Sequence, residues 1–228
     1  MSEKVRTMFA NIAPRYDLAN TALSFGIHHW WRHIVVRRSH VRNGMKILDC
    51  ATGTGDLAIA YKHAVGSGTV IGTDFCAEML SFAPHKAKKM NMDIQFEIAD
   101  VLNLPYPNDT FDIASISFGI RNVDNPQRGL EEMARTVKSG GKVVVLEFGQ
   151  PRGLFRILYT VYSRFIMPRL GGLLTGNASA YEYLPETAAR FPSGEEFTAI
   201  MRSTNAFSEC RYESLTFGIA YLYIGIVR

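Results

Sequence analysis

From residue 45 onward, short apolar runs alternate with longer segments in which apolar positions recur at helical spacing. This alternation is typical of a parallel β-sheet flanked by helices. Five of the runs have strand character, and they lie at 46–50, 69–74, 93–98, 111–117 and 142–148. Helical patterns separate them at about 56–64, 76–90 and 125–138, and the triplet at 139–141, Ser-Gly-Gly, predicts a turn into the fifth strand.

Both ends of the chain have helical character. Residues 1–43 are rich in aromatic side chains and contain a loop at 24–27. After Pro151 an amphipathic segment runs to Met167, where the following proline predicts the end of a helix, and Gly171-Gly172 predicts a break. Further helices are expected near 178–189 and 193–204, before two closing strands. The pattern therefore predicts an α/β fold with a mostly parallel, seven-stranded sheet and helices on both faces.

Composition and charge limit the number of domains, the possible partners of the basic regions and the cellular location. A chain of 228 residues, 47% of them apolar, fits one domain. The net charge of +4 is uneven, because residues 1–46 hold eight Lys or Arg against two acids, and residues 152–169 hold four Arg and no acid. These regions suit ordinary solvated surface, a ligand phosphate or an anionic membrane, and no nucleic-acid-binding motif accompanies them. Three isolated cysteines and the lack of a secretory signal pattern predict free thiols and a cytoplasmic location.

The stretch from Ile47 to Asp56 has the pattern of a strand ending in an acid, a loop of small residues and the start of a helix. Gly53 and Gly55 let a ligand approach the backbone, and the first helical turn offers unpaired N–H donors. The spacing Gly53-x-Gly55-x-x-Ala58 also fits a dinucleotide-binding fingerprint, and two close glycines suit a tight turn with no ligand. The loop alone therefore leaves the ligand undecided.

Acidic residues follow three successive predicted strands. Asp49 ends the first strand, Asp74 ends the second 19 residues after Gly55, and Asp100 precedes Val101 after the third. A carboxylate at Asp74 can accept hydrogen bonds from both ribose hydroxyls of an adenosine, and Asp100 with the N–H of Val101 can meet an adenine edge. Each acid alone is more often a helix N-cap. Together they indicate one crevice at the carboxyl edge of the sheet.

These motifs resemble the cofactor motifs of class I S-adenosylmethionine methyltransferases, and within that class the ubiquinone/menaquinone biosynthesis C-methyltransferases (UbiE/MenG type). The class usually has Gly where this chain has Ala51, whereas this family commonly carries Ala. Further stretches that match the family lie at 15–20, 23–28, 104–107, 111–112, 117–123, 146–148, 181–184 and 191–192, and the most specific is Phe-Gly-Ile-Arg-Asn-Val at 118–123. One departure is near the C-terminus, where Phe217-Gly218 and Leu222-Tyr223 replace a Gly-Gly and a Leu-His that the family often has.

The resemblance implies a Rossmann-like class I methyltransferase with S-adenosylmethionine as methyl donor and S-adenosylhomocysteine as product. It implies one domain in four parts, namely a helical cap at 1–43, a cofactor-binding core at 44–150, a helical substrate lid at 151–206 and closing strands at 207–228. The cofactor-binding residues that it implies are Asp49, Gly53, Thr54, Gly55, Asp74, Asp100, Val101 and Ser117.

The reaction that the resemblance implies is methyl transfer to a ring carbon of a prenylated quinol in respiratory-quinone biosynthesis, with no metal. The hydroxyl beside that carbon loses its proton as the bond forms, so the site must position the ring, accept a proton and stabilise phenolate charge. We expect Arg121 to stabilise the charge and Asn122 to orient a hydroxyl or a water. A salt bridge from Arg121 to Asp124 or Glu147 is the structural alternative.

The proton acceptor is left open. Arginine is a poor base, so the proton leaves through water or through a side chain near the ring. The candidates are Tyr16, which we place among the catalytic residues, and His28, Tyr181 and Tyr183. His29 and His33 have helical spacing for a shared metal, but no third ligand is evident nearby.

Two other functions compete with the leading one. A methyltransferase of the same fold could act on another small or lipophilic acceptor, and a nicotinamide-dinucleotide oxidoreductase would also use Gly53, Gly55 and Asp74. The oxidoreductase function would not explain Asp100 or Arg121. The sequence leaves open whether the acceptor is a demethylmenaquinol or a ubiquinone precursor, and whether the chain forms a homodimer.

The segment after the fifth strand suggests how the enzyme reaches a lipid substrate. Apolar residues recur there at helical spacing, while polar ones gather on another side; the apolar set is Leu154, Phe155, Leu158, Val161, Tyr162 and Phe165, and the polar set is Arg156, Thr160, Ser163 and Arg164. Such a helix suits a membrane surface, although an ordinary lid helix has the same pattern. We expect 153–174, with or without the basic N-terminal helices, to form a mobile lid that docks weakly and peripherally on anionic lipid at the inner face of the membrane and admits the prenyl tail.

Overall fold

The computed structural model describes residues 3–151 and 153–228, so Arg152 of the basic segment lies outside the described residues, as does the side chain of Leu154. One sheet of seven strands forms the centre, in the order β3-β2-β1-β4-β5-β7-β6. The strands are β1 Lys46–Cys50, β2 Thr69–Asp74, β3 Gln95–Ile98, β4 Phe111–Ser117, β5 Val137–Phe148, β6 Phe207–Leu215 and β7 Ala220–Val227. The first five are mutually parallel, and β7 runs antiparallel to both β5 and β6. The predicted seven-stranded, mostly parallel sheet is confirmed.

Helices surround this sheet. Those before and within the parallel part are α1 Glu3–Ile12, α2 Tyr16–Leu23, α3 Ile27–Ser39, α4 Asp56–Val65, α5 Ala77–Leu80, α6 Ala83–Lys89 and α7 Pro126–Thr136. After β5 come α8 Gly153–Val161, a π-helical segment Tyr162–Ile166, α9 Met167–Thr175, α10 Ala178–Arg190 and α11 Glu195–Ser203. Within the described ranges, no helix is both long and apolar enough to span a membrane.

Apolar side chains on both faces of the parallel strands explain why helices cover both faces. One buried cluster places Met133 of α7 and Phe197 of α11 against one face of the sheet, and another places Trp31 of α3 and Tyr61 of α4 against the other. Strands that are buried on two faces read as continuous apolar runs, which is why the sequence located them well. The carboxyl ends of β1, β2, β3 and β4 consequently open at one edge, where ligands bind in folds of this type.

The N-terminal helices and the helices after β5 pack on each other above that edge. Their shared cluster buries Ile12 and Leu23 from the first group with Met167 and Tyr181 from the second. Tyr162 also donates its hydroxyl hydrogen bond to the carbonyl of Leu23. The cap and the lid therefore form one roof over the carboxyl edge.

Three boundaries differ from the prediction near the parallel strands. The helix predicted over 76–90 is two helices, because Pro84 starts the second one, where its missing N–H costs nothing. The third strand starts at Gln95 rather than at residue 93. Helix α7 ends at Thr136, and the expected turn at 139–141 is a bulge within β5, where Gly140 takes a φ of +76° between two paired stretches.

The predicted end of the lid helix at Pro168 is wrong. The proline lies in the first turn of α9, where no intrahelical N–H bond is required of it, and the π-helical segment precedes it. The break predicted at Gly171-Gly172 is also wrong, since both glycines lie inside α9. A Cβ on Gly171 would come within 2.3 Å of the ring of Tyr181. This glycine therefore serves helix packing rather than a break.

Candidate active site

The loop between β1 and α4 has an unusual backbone. Ala51, Gly53 and Gly55 all have positive φ angles of +48°, +58° and +85°. A Cβ on Gly55 would lie 2.9 Å from the Cβ of Ala83, so this glycine is required by packing as well as by its φ. Gly119 lies against the same loop, because its own Cβ would come within 2.7 Å of that of Ala51. The backbone is thus drawn tightly together at the edge of the sheet.

A small cavity of about 80 Å³ opens beside this loop. Of the predicted site residues, seven line it: Tyr16, Gly53, Asp74, Asp100, Val101, Ser117 and Asn122. They come from the cap, the loop and the ends of β2, β3 and β4, so the topology brings together what the sequence spreads over more than 100 residues. The cavity is smaller than the roughly 300 Å³ at which small-molecule sites begin, so a nucleoside-sized ligand requires the surrounding side chains to move.

The two acids at this cavity are held by backbone donors. The carboxylate of Asp74 accepts hydrogen bonds of 2.8 Å from the N–H groups of Gly53 and Cys76, and burial raises its pKa. Asp100 accepts one bond of 3.0 Å from the N–H of Leu102. Carboxylate oxygens have further lone pairs, so both acids can accept hydrogen bonds from a ligand. This set of acceptors fits the donor groups of ribose hydroxyls and an adenine amino group, which are the ligand groups predicted here.

Three predicted cofactor residues do not line the cavity. Asp49 accepts hydrogen bonds of 2.7 Å from Thr52 and Ser115, and burial raises its pKa to about 6. Thr54 donates a bond of 2.6 Å to Asp17 of the cap. Gly55 precedes α4 and packs as described above. These residues shape the loop and tie it to the cap, and a direct contact from them to the cofactor stays a prediction.

A second cavity of about 620 Å³ lies under the roof formed by cap and lid, and its lining is mainly apolar and aromatic. It shares Phe9, Tyr16 and Phe118 with the small cavity, so these three side chains form a common wall. Phe25 and Leu158 line it while being 83% and 64% exposed, which places them at its mouth. The size and lining suit a largely apolar ligand of small-molecule dimensions.

Arg121 follows β4 in a 3₁₀ turn and lines the large cavity. Its Nη1 donates to Glu147 at 2.7 Å and to the carbonyl of Phe118 at 2.6 Å, and its guanidinium lies 5.2 Å from the ring centroid of Phe148. The side chains of Arg121 and Glu147 are only 3% and 0% exposed. The salt bridge that we set against a catalytic role thus exists. It also fixes the guanidinium beside the cavity, with the Nε donor left unpartnered.

Asn122 lies on the other side of the common wall. It lines the small cavity, and its side-chain oxygen accepts a bond of 3.1 Å from the hydroxyl of Tyr183, which lines the large one. Burial raises the pKa of Tyr16, Tyr181 and Tyr183, that of Tyr181 to about 12. These tyrosines therefore keep their protons near neutral pH.

His28 also lines the large cavity, where its Nδ1 shares a hydrogen bond with the hydroxyl of Ser24. Burial and the neighbouring Arg32 lower its pKa to about 4, so the imidazole is neutral near pH 7. His28, His29 and Asp56 lie close enough to hold a metal ion. However, Asp56 already pairs with Arg32 at 2.6 Å and with Lys86, and this positive charge opposes a cation there.

Several lining residues were not predicted from the sequence. Phe9, Phe75 and Met79 surround the small cavity, and Tyr159 belongs to the large one. The aromatic content of the first 43 residues was the available signal for Phe9. The others depend on contacts between distant segments, which one sequence does not display.

The chain is similar over its full length to proteins of known family. The family model described as the ubiE/COQ5 methyltransferase family matches residues 1–227. The ubiquinone/menaquinone biosynthesis C-methyltransferase UbiE of Bdellovibrio bacteriovorus is 53% identical, over 99% of this chain and 97% of its own. The demethylmenaquinone methyltransferase of Thermus thermophilus is 44% identical over 96% and 99%, and that of Deinococcus radiodurans is 42% identical over 98% and 92%.

Solved structures share the architecture at low sequence identity. A SAM-dependent methyltransferase from Thermotoga maritima aligns with a TM-score of 0.69 and 19% identity, over 97% of this chain and 99% of its own. A chain from the complex of the Haloferax volcanii Trm112 methyltransferase activator with a methyltransferase gives the same score and identity, over 96% and 97%. The predicted Rossmann-like class I methyltransferase fold is confirmed.

Proposed function

The chain belongs to the ubiE/COQ5 methyltransferase family, and from this membership we infer that it transfers a methyl group from S-adenosylmethionine to a ring carbon of a prenylated quinol in respiratory-quinone biosynthesis. The structural observation that best supports this function is the pair of cavities with a common wall of Phe9, Tyr16 and Phe118. One cavity has acids suited to an adenosine, and the other is apolar. A methyl donor and a lipid acceptor can thus meet across one aromatic boundary.

The cofactor, when bound, supplies an electrophilic methyl group on its sulfonium. Asp74 would accept from the ribose hydroxyls, Asp100 and Val101 would face the adenine, and Gly53 and Ser117 would line its path along the loop. Asp49 and Thr54 would act mainly by fixing the loop, through the hydrogen bonds that they already make. The roles of Asp74, Asp100, Val101, Gly53 and Ser117 are the predicted ones, whereas a direct cofactor contact from Asp49 or Thr54 stays a prediction.

Arg121 would stabilise the phenolate charge that develops on the quinol oxygen. Its guanidinium is buried and immobilised by Glu147, so no reorganisation is needed when the charge appears. Since the tyrosines near the ring retain their protons, the proton would pass to water or to the neutral imidazole of His28. Asn122 would hold Tyr183 in place rather than contact the ring itself.

The prenyl tail would leave through the mouth at Phe25 and Leu158. Apolar side chains on the outside of the lid are unusually exposed, and they include Ile157, Val161, Phe165, Ile166 and Leu173. Phe217 joins them beside Phe155, with ring centroids 4.9 Å apart. Arg156 and Arg164 are exposed on the same segment. An apolar surface with cations and no acids at 153–174 suits peripheral docking on anionic lipid.

The reaction is tested by incubating the protein with labelled S-adenosylmethionine and either demethylmenaquinol or a demethylated ubiquinone precursor, both reduced. We expect label on a ring carbon of at least one lipid, and the comparison identifies the acceptor. Methylation of soluble phenols or sterols in preference to both lipids would contradict the assignment.

Docking is tested by co-sedimentation with anionic vesicles at low and high salt. We expect salt-sensitive binding that is lost in the double variant Leu158→Glu, Phe165→Glu. The matched control is the double variant Phe82→Glu, Met90→Glu, which places the same charge at two exposed apolar positions outside the lid. If wild type does not bind at low salt, or if both variants bind equally, the lid is an ordinary cover.

A further inference from the structure

The tetrapeptide Ser/Thr-Phe-Gly-Ile occurs three times in the chain, at 24–27, 117–120 and 216–219. In all three copies the phenylalanine has a positive φ, which is +51° at Phe25, +55° at Phe118 and +56° at Phe217. This left-handed conformation is unfavourable for a residue with a bulky side chain, and strained residues of this kind cluster at functional sites. The three loops therefore need a functional explanation.

The three loops lie around one cavity. Phe118 lines the 620 Å³ cavity at the common wall, and Phe25 lines its mouth. Thr216 and Ile219 line the same cavity from the turn between β6 and β7. Trp31 of α3, the helix that follows the first loop, donates a hydrogen bond of 2.8 Å from Nε1 to Thr216, and its ring centroid lies 5.8 Å from that of Phe118. The loops thus form one connected rim and wall of the large cavity.

Internal packing offsets the strain in only one of the three loops. The ring centroid of Phe118 lies 4.3 Å from that of Phe148, within the aromatic interior of the molecule. Phe25 and Phe217 differ, because they are 83% and 74% exposed. Two aromatic rings are therefore held in solvent by an unfavourable backbone conformation that little internal packing offsets.

These two rings extend the exposed apolar surface of the lid. The ring centroid of Phe25 lies 6.0 Å from that of Tyr162, and that of Phe217 lies 4.9 Å from that of Phe155. The apolar surface thus continues from the lid onto the cap and onto the turn between β6 and β7. Neither loop carries a charge, whereas the lid has arginines and no acids at 153–174. Uncharged aromatic tips beside cations match an anionic bilayer, in which acyl chains lie beneath negative headgroups.

We infer that Phe25 and Phe217 are aromatic anchors that enter the acyl-chain region of an anionic bilayer beside the mouth of the large cavity. This inference deepens the docking proposed above and depends on it. Contact through the lid, the cap and the turn between β6 and β7 orients the protein with the mouth against the bilayer. The prenyl tail then passes from membrane to cavity without crossing water.

The decisive variant is Phe217→Gly, because it removes the ring and the backbone strain together. Tm should stay equal or rise by up to about 4 °C, since glycine adopts a positive φ without strain. Partition into quinol-free vesicles of equal parts phosphatidylglycerol and phosphatidylcholine should fall about tenfold, the factor expected when a phenylalanine side chain is no longer taken out of water. Phe25→Gly should have the same effect, and the double variant should lose about 100-fold. A loss of binding without a loss of stability excludes unfolding as its cause.

Two controls separate the rings from strain and from general surface apolarity. His40→Gly relieves a similar strain, at a φ of +52°, at the far end of α3 from the mouth. Met90→Ala removes a side chain that is 53% exposed and belongs to neither loop nor to the lid. Both variants should partition into the vesicles as wild type does.

Wild-type partition of Phe217→Gly would overturn the inference. A loss confined to vesicles that contain long-chain quinol would overturn it as well, because the ring would then contact the substrate tail rather than the bilayer. So would a change in oligomeric state by light scattering that accounts for the loss, since the ring would then lie between two copies of the chain. Absence of wild-type binding at low salt would overturn the docking and this inference together. Failure of the proposed methylation has a different signature, because wild type would then bind vesicles more tightly than Phe217→Gly while methylating no quinol.

Discussion

Replacing Arg121 by alanine separates catalysis from stability. The variant removes a buried cation that lines the large cavity. Loss of one preorganised donor to a developing oxyanion lowers kcat about 100- to 1,000-fold. The cofactor cavity lies across the common wall and does not include Arg121, so affinity for S-adenosylhomocysteine should change little.

The same change also leaves Glu147 buried without its cation. Removing one partner of a buried ion pair costs about 3–5 kcal/mol. The N–H of Phe148 still donates to Glu147 at 2.8 Å, and the backbone N–H of residue 121 at 3.3 Å, so we expect the lower end, about 3 kcal/mol. For a protein of this size that corresponds to a fall in Tm of roughly 6–12 °C.

The assay is single-turnover methylation of the quinol at a temperature where the variant is folded, beside calorimetry and thermal unfolding. Arg121→Lys should restore part of the rate, because a point charge replaces a planar fork. The matched control is Arg135→Ala, which breaks the pair with Glu132 in α7, away from both cavities. It should lower Tm without lowering kcat. Normal turnover in Arg121→Ala would refute the catalytic role and leave only the salt bridge.

Other predictions address the cofactor, the cap and pH. Asp74→Ala should weaken S-adenosylhomocysteine binding roughly 10- to 150-fold for each ribose hydrogen bond that is lost, since charged hydrogen bonds contribute about 1.5–3 kcal/mol each, and unchanged affinity by calorimetry would show that the site is misplaced. Asp17→Asn removes the 2.6 Å ion pair with Lys86, so stopped-flow release of the cofactor product should become faster while Tm barely moves; an unaltered release rate contradicts this. Because burial and Arg32 lower the pKa of His28 to about 4, the unfolded chain binds more protons between that value and about 6.5, and stability should fall as pH decreases through this window. Urea unfolding at pH 7 and pH 5 should show a smaller pH effect in His28→Gln, and an equal effect in both proteins would exclude His28 as the source.

The sequence predicted the centre of the sheet well because β1, β2, β4 and the second half of β5 are buried on both faces and stand out as apolar runs. The sequence predicted the helix ends less well near proline, which can begin a helix as well as end one. Pro84 and Pro168 each lie in the first turn of a helix, where a missing N–H is tolerated. Gly171 was likewise interpreted as a break, although its role depends on Tyr181, ten residues later in the next helix.

The candidate site was predictable where it follows strand ends. Asp74 and Asp100 had to meet at the carboxyl edge once the strands were parallel. For Arg121 the sequence suggests either a salt bridge or a catalytic role. The structure shows the ion pair with Glu147 and also places Arg121 in the lining of the large cavity, so the two are compatible.

The common wall of Phe9, Tyr16 and Phe118 couples the release of the two reaction products. Two of these residues belong to the cap, so a movement of α1 and α2 that uncovers one ligand uncovers the other. The polar ties of the cap to the core include partly exposed ion pairs such as Arg6 with Glu78, and such pairs contribute at most about 1 kcal/mol each. S-adenosylhomocysteine and the methylated lipid would therefore leave in one opening event. The rate of that opening would set an upper limit on turnover, however fast the methyl group is transferred.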